Sequence, residues 1–251
     1  MIKAVTFDMW NTLLEEKDYA AQRFKCLADA LGRLGVPREE NQIEEAYMEA
    51  QRYAHRAWTE ENYRFVPASE RLDQILKKLS ARLTEDLRVE VLRGFEEVAV
   101  SDPPQLVEGV RDTLESLSTR YKMGIICDSG LTPGRVLRNV LAGHGLLGLF
   151  EATIFSDENG YNKPHITMFR NALTRLLVEP SEAVHVGDLL HTDVAGAKAA
   201  GMTTIWFDTK RTILAGPYKP DYRITAFPEV LAVLDSLETA AVGRKRLEES
   251  P

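Results

Sequence analysis

The hydrophobic and polar positions of this chain fall into three successive patterns. The first is short: Ala4-Val5-Thr6-Phe7 is a continuous β-prone run, of the kind that forms a strand buried on both faces, and it stops at Asp8. Asn11 follows in the turn and belongs to a residue type that tolerates left-handed backbone. From Asp18 to about Phe95 the period becomes helical. Phe24, Leu27, Ala28 and Leu31 form one apolar stripe, ended near Gly35 and Pro37; Ile43, Ala46, Tyr47, Ala50, Tyr53, Ala54, Ala57 and Trp58 form a second. Ala68, Leu72, Ile75 and Leu79 make a third, and Leu87, Val91, Leu92 and Phe95 a fourth. With no strand between them, these stripes predict a small helical bundle inserted after the first strand, and Pro103-Pro104 marks the return.

The third pattern is strict alternation. Helix faces are predicted at Val107, Val110, Leu114 and Leu117, at Phe169, Ala172, Leu173, Leu176 and Leu177, and over Val194–Ala200 and Pro228–Leu237. Thr132-Pro133 is expected to start a further helix, with Thr as N-cap and Pro at the first helical position. Strands are predicted at Lys122–Cys127, Ala152–Ser156, Ala183–Gly187, Thr203–Phe207 and Tyr222–Thr225. The expected fold is therefore α/β, a doubly wound parallel sheet with an inserted all-helical domain. Its core is expected over 1–14 and 97–238 and its helical insert over 15–96, with a charged, frayed tail over 239–251.

Composition narrows the class. At 251 residues, 44% hydrophobic and 27% charged, the chain can bury a full core. Its net charge of −7 argues against a nucleic-acid partner and requires a local cation or metal for any anionic substrate. Cys26 and Cys127 lie far apart without ligand spacing and read as free thiols in a reducing compartment. No stretch approaches the ~18 consecutive apolar residues of a membrane span, and the N-terminus enters a strand without a signal-like run, so a cytoplasmic protein with no membrane partner is expected. Its oligomeric state is open.

Polar groups cluster at predicted strand ends: Asp8, then Cys127-Asp128-Ser129-Gly130, then Lys163-Pro164, then Gly187-Asp188 with Asp193 beyond. In a doubly wound sheet these lie along one edge, where ligands bind. Carboxylates, a lysine and a helix N-terminus suit a hydrated Mg²⁺ beside a phosphate. Some polar residues of these stretches also have a plainer reading: Asp8 as a helix cap, Asp128 as a turn residue, His185 as a core histidine, His191 as a solvated loop residue.

In this order the motifs resemble those of the haloacid dehalogenase-like (HAD) hydrolase superfamily, with a helical cap of the C1 type between the first and second motifs. The resemblance covers nearly the whole chain and rests on Asp8-Met9-Trp10-Asn11-Thr12, Lys163-Pro164 and Gly187-Asp188-Leu189-Leu190-His191-Thr192-Asp193. It implies a Rossmann-like core and a nucleophile at Asp8 that forms an aspartyl phosphate, a role carboxylates do fill. It also implies Mg²⁺ held by Asp8, the Trp10 carbonyl and Asp188, with Asp193 orienting the metal surroundings and Lys163. Lys163 would neutralise the nucleophile and, with Cys127, Asp128 and Ser129, receive the phosphoryl group of a small phosphorylated substrate.

Two positions depart from the family pattern. Its phosphatases place a proton-transferring Asp two residues after the nucleophile, where this chain has Trp10; a positioned proton carrier is worth about 10²–10⁴-fold. The second motif usually offers Ser or Thr where Cys127 stands, a weaker hydrogen-bond donor. An aromatic at position 10 is similar to the L-2-haloacid dehalogenases of the superfamily, which have Tyr there and need no metal. The readings are thus an Mg²⁺-dependent phosphatase, a dehalogenase, or a non-catalytic binding protein of the same fold. Trp10 itself would either pack the cap interface or stack on substrate, and Tyr19, Arg23, His55, Arg56 and Arg64 are candidate cap contacts.

Overall fold

The structure, a computed structural model, describes residues 1–210 and 216–248. Its strands are β1 (Ala4–Phe7), β2 (Lys122–Cys127), β3 (Ala152–Phe155), β4 (Ala183–Gly187), β5 (Thr203–Phe207) and β6 (Tyr222–Ile224). They form one parallel six-stranded sheet in the order β3-β2-β1-β4-β5-β6. The chain builds outward from β1 on one side and then returns to build outward on the other. The reversal falls between β1 and β4, where Phe7 pairs with Val186 and the Asp8 N–H donates to the Val186 carbonyl at 2.8 Å. That switch point is where an open α/β sheet leaves a crevice at its carboxyl edge.

Both sheet faces are covered, as the continuous apolar strands require. On one face α5 (Val110–Ser118), α6 (Gly134–Gly143) and α10 (Glu229–Glu248) bury Leu114, Leu137 and Val230 against Val5, Phe7 and Ile125. On the other, α8 (Ile166–Leu176) and α9 (Ala195–Ala199) bury Phe169 and Ala197 against Ala4, Ile126 and Ile154. A short helix, α7 (Ser156–Asn159), follows β3. The insert holds α1 (Ala20–Arg33), α2 (Glu40–Glu60), α3 (Ala68–Lys78) and α4 (Glu85–Ser101), with a hydrophobic core of its own around Leu31, Ile43, Leu72 and Phe95. Thr84 caps α4 by accepting from the Leu87 N–H, and no strand occurs between residues 18 and 95. None of the helices, among the described residues, is long and apolar enough to cross a membrane.

Three expectations are corrected. Thr132 does not cap α6: Pro133 occupies the N-cap and the first N–H, from Gly134, is taken by Asp157 Oδ1 at 3.0 Å. A cap supplied from β3's far end replaces the local one, leaving the Thr132 hydroxyl to accept from Arg23 at 3.3 Å. Leu177 is not on the face of α8; it closes that helix at φ 55° and is 80% exposed. The segment expected to fray from residue 239 continues α10 to Glu248, and residues 249–251 lie outside the described part.

Candidate active site

The turn after β1 is built by its own amides. Leu13 and Leu14 N–H groups both donate to the Met9 carbonyl, and the Asn11 N–H donates to the Leu14 carbonyl at 2.7 Å. Asn11 sits at φ 56°, in the left-handed region its short polar side chain tolerates. The loop leaves the Trp10 carbonyl without a hydrogen bond among the described residues, and it brings the Thr12 hydroxyl to donate to Asp8 Oδ2 at 3.2 Å. Asp8 is 5% exposed, and its other oxygen accepts from Lys163 Nζ.

Lys163 is the hub. Its ammonium, 2% exposed, also donates to Asp193 Oδ1 at 2.6 Å; its backbone N–H donates to Asp128 Oδ1 at 2.8 Å. Its carbonyl accepts from the Trp58 indole N–H at 2.9 Å, so α2 of the cap touches the lysine loop directly. Asp193 is fully engaged: beyond Lys163, it lies 3.1 Å from His185 Nε2, and Oδ2 accepts from the Leu189 N–H at 3.1 Å and from the Thr192 hydroxyl. Gly187 makes this approach possible, because a Cβ there would lie 2.3 Å from Asp193 Cγ.

Carboxylate oxygens of Asp8, Asp188 and Asp193 come within 4.8 Å of one another. Burial pushes the Asp188 carboxyl up to about 8, helped by Asp8 and Asp193 and opposed by Lys163. Burial also raises Asp8 against the pull of Lys163. Asp193 moves the other way: burial would raise it, but Lys163 and His185 hold it well below the usual carboxylate range. The group is short of positive charge, with Asp8, Asp128, Asp188 and Asp193 facing one ammonium. Hard oxygen donors with excess negative charge, plus the free Trp10 carbonyl, are a donor set that fits Mg²⁺.

The second-motif residues divide. Burial drives the Cys127 thiol well above its ordinary value, with Asp8 adding to the effect, so it stays protonated. Asp128 borders the cleft, and burial pushes its carboxyl up to about 7. The Ser129 hydroxyl is committed elsewhere: it lies 3.0 Å from the Ser156 hydroxyl and accepts from the Asp157 N–H, tying the turn to the end of β3. Trp10 is partly buried and lines a cleft of about 240 Å³ between core and cap, with Tyr19, Arg23, Asp128, Ser129 and Thr132. His191 is exposed, its ring edge-on to Trp58 at 5.9 Å.

Three contributors escaped the sequence reading. His185 is in the core as expected, yet it bridges Thr6 Oγ1, at 2.9 Å from Nδ1, to Asp193. Thr12 stands in the first motif without an assigned role, yet its hydroxyl donates to Asp8, and Trp58 continues the apolar stripe of α2 although it reaches across to Lys163. The only local hint was a polar residue, His185, inside an otherwise apolar strand.

A family model described as "haloacid dehalogenase-like hydrolase" matches residues 2–201. A glyceraldehyde 3-phosphate phosphatase of Pyrococcus furiosus is 31% identical over 238 residues, 93% of each chain. Among solved structures, a 2-haloacid dehalogenase from Pseudomonas syringae is 26% identical with a TM-score of 0.70, the match covering 94% of this chain and 100% of that one. A HAD phosphatase from Thermococcus onnurineus is 28% identical with a TM-score of 0.63, the match covering 93% and 98%.

Proposed function

The chain belongs to the haloacid dehalogenase-like hydrolases, and from that premise we propose that it is an Mg²⁺-dependent phosphatase acting on a small phosphorylated metabolite. The observation that carries the reading is the setting of Asp8: a buried carboxylate at the switch point, held by Lys163 and Thr12, with Asp188 and Asp193 beside it. In this reading Asp8 attacks phosphorus, its new O–P bond forming as the bond to the leaving oxygen breaks. Water then attacks the aspartyl phosphate and restores the carboxylate. The Lys163 ammonium balances charge on the phosphoryl oxygens, while Asp193, steadied by His185, keeps that ammonium in place. Asp8, Asp188 and the Trp10 carbonyl would hold Mg²⁺, which when bound supplies further charge stabilisation for the phosphoryl oxygens. The matched phosphatases support this substrate class.

Trp10 shapes the specificity. An indole gives up no proton near neutral pH, so the leaving oxygen departs with little help. Aryl and acyl phosphates, with leaving groups of low pKa, should turn over well ahead of simple alkyl phosphates. The test is single-turnover kinetics on a series of substituted aryl phosphates with Mg²⁺. Turnover should be steeply dependent on leaving-group pKa, abolished by EDTA, and reduced to a trace in a folded Asp8→Asn variant. Retained activity in that variant would remove Asp8 from the nucleophile's role. A flat dependence would overturn the reading of Trp10 and move the proton to another group, Asp128 being the carboxyl beside Trp10 with a raised pKa.

The aromatic Trp10 also favours a second reading, a 2-haloacid dehalogenase, whose halide leaving group needs no proton; the Pseudomonas syringae structure supports it. Chloride release from 2-chloropropionate in the presence of EDTA would select it over the phosphatase.

A further inference from the structure

Most arginines on this surface have a carboxylate: Arg33 pairs with Glu90, Arg120 with Asp235 and Glu238, Arg135 with Glu96 and Glu97, Arg138 with Glu158. Arg23 is different. It stands on α1 at 8% exposure, and each of its hydrogen bonds goes to a neutral group. Nε donates to the Phe95 carbonyl at 3.0 Å, Nη1 to the Tyr47 hydroxyl at 3.4 Å and Nη2 to the Thr132 hydroxyl at 3.3 Å; the Tyr19 ring lies 5.6 Å from its guanidinium carbon. Arg71 of α3 repeats the pattern, donating to the Val66 carbonyl and to Gln51 Oε1. Burial pushes the Arg71 guanidinium down to about 10, and Arg23 contributes to that shift as a neighbouring like charge. The carboxylate acting on Arg71, Glu70, is engaged by Arg64. Among the described residues neither Arg23 nor Arg71 is ion-paired.

Buried charges are costly unless an opposite charge meets them, so the buried Arg23, with the half-buried Arg71 adding like charge, leaves a demand for an anion. Arg23 lines the cleft that also holds Trp10, Asp128 and Ser129, and Asp128, which accepts from the Lys163 N–H at 2.8 Å, connects that cleft to the candidate site. The other cation there, Lys17, is already engaged by Asp102. Two of the hydrogen bonds of Arg23 are long, and its five N–H donors in a planar fork match a carboxylate or phosphate better than single hydroxyls.

We propose that Arg23 binds a second anionic group of the substrate, so that the molecule hydrolysed is a small phosphate ester whose far end carries a carboxylate or a second phosphate rather than a neutral group. This rests on the phosphatase reading for the position of the reacting phosphate. It separates this chain from a specificity for glyceraldehyde 3-phosphate, whose far end is an uncharged aldehyde.

Calorimetric binding to the Mg²⁺-loaded Asp8→Asn protein tests it with matched probes. 3-Phosphoglycerate and glyceraldehyde 3-phosphate differ at one carbon, carboxylate against aldehyde; propane-1,3-diol bisphosphate and its monophosphate extend the comparison to a second phosphate. At least one doubly anionic probe should bind about tenfold or more tightly than its singly anionic partner, the range of a charge-assisted hydrogen-bonded pair. Adding Arg23→Met should erase that preference, with Arg23→Lys keeping part of it. Equal affinities within both pairs, or a preference that survives Arg23→Met, would overturn the proposal. Should Arg23→Met fail to fold, the comparison of probes on the parent protein decides alone. Wild-type turnover of 4-nitrophenyl phosphate reports separately on the phosphatase reading: turnover without any anion preference sinks only the inference drawn here.

Discussion

At the scale of the residue, the candidate site is built of side chains whose ordinary charge states are displaced by their surroundings. Asp128 accepts from the Lys163 N–H, yet burial pushes its carboxyl up to about 7 from an unfolded value of 3.8, with Lys163 pulling the other way. A carboxyl raised on folding contributes stability that is fully present below 3.8 and lost as pH rises through about 7. Asn would keep the acceptor oxygen and not titrate. The stability of Asp128→Asn relative to wild type, measured by denaturant unfolding in EDTA, should therefore increase between about pH 5 and about pH 8, by on the order of 1–4 kcal/mol. A difference independent of pH would mean that Asp128 ionises in the folded protein as it does in water.

At the scale of the element, close approach decides which local rules hold. Gly94 lies inside α4, where Ala would ordinarily stabilise a helix by about 1 kcal/mol. Here a Cβ would sit 2.4 Å from Cys26 Sγ, because α1 packs against α4 at that point. Gly94→Ala should destabilise by about 1–3 kcal/mol through overpacking. In a Cys26→Ala background the same change should become neutral or stabilising, as read from a double-mutant cycle of urea unfolding. An unaltered penalty in that background would locate the clash elsewhere. The same logic explains α6, whose Gly134 faces Phe155 at a distance no side chain would permit and whose first amide is capped by Asp157.

At the scale of the whole molecule, cap and core are joined at the loop that carries the catalytic lysine candidate. The Phe65 N–H donates to the Gly160 carbonyl at 2.9 Å and the Asn162 N–H to the Tyr63 carbonyl at 2.8 Å, while Trp58 bonds Lys163 itself. Asn62 and Tyr63 hold φ values of 54° and 64°, a left-handed pair that aims this strap at the core. Leu131 of the second-motif turn completes the contact by packing into the cap's own hydrophobic cluster. Trp58→Phe should cost about 0.5–1.5 kcal/mol in stability. It should also speed hydrogen exchange at the Asn162 amide, leaving the Lys163 amide, which Asp128 holds within the core, protected. Equal exchange at Asn162 in both proteins would show the strap to be independent of the indole.

The amino-acid sequence by itself determined what local periodicity and backbone chemistry can encode. The apolar runs are the strands, the alternation after Pro103 is the parallel sheet, the stripes between residues 18 and 95 are the cap helices, and Asn11 takes its left-handed turn. Asp8 and Asp188 stand out in the sequence as polar residues that directly follow apolar strands, whereas Lys163, beyond α7, and Asp193, in the helical turn after Asp188, are singled out by the family resemblance. Tertiary structure decided which groups complete them. His185 joins Thr6 across a separation of 179 positions, Trp58 joins Lys163 across 105, and Arg23 joins Thr132 across 109. Asp157 caps the helix that the sequence assigns to a Thr132 cap, and the Ser129 hydroxyl is engaged by Ser156 and the Asp157 N–H. A hydrogen bond across the sheet's edge depends on which strand ends become neighbours, and that order is settled by the packing of the whole chain, not by spacing along it.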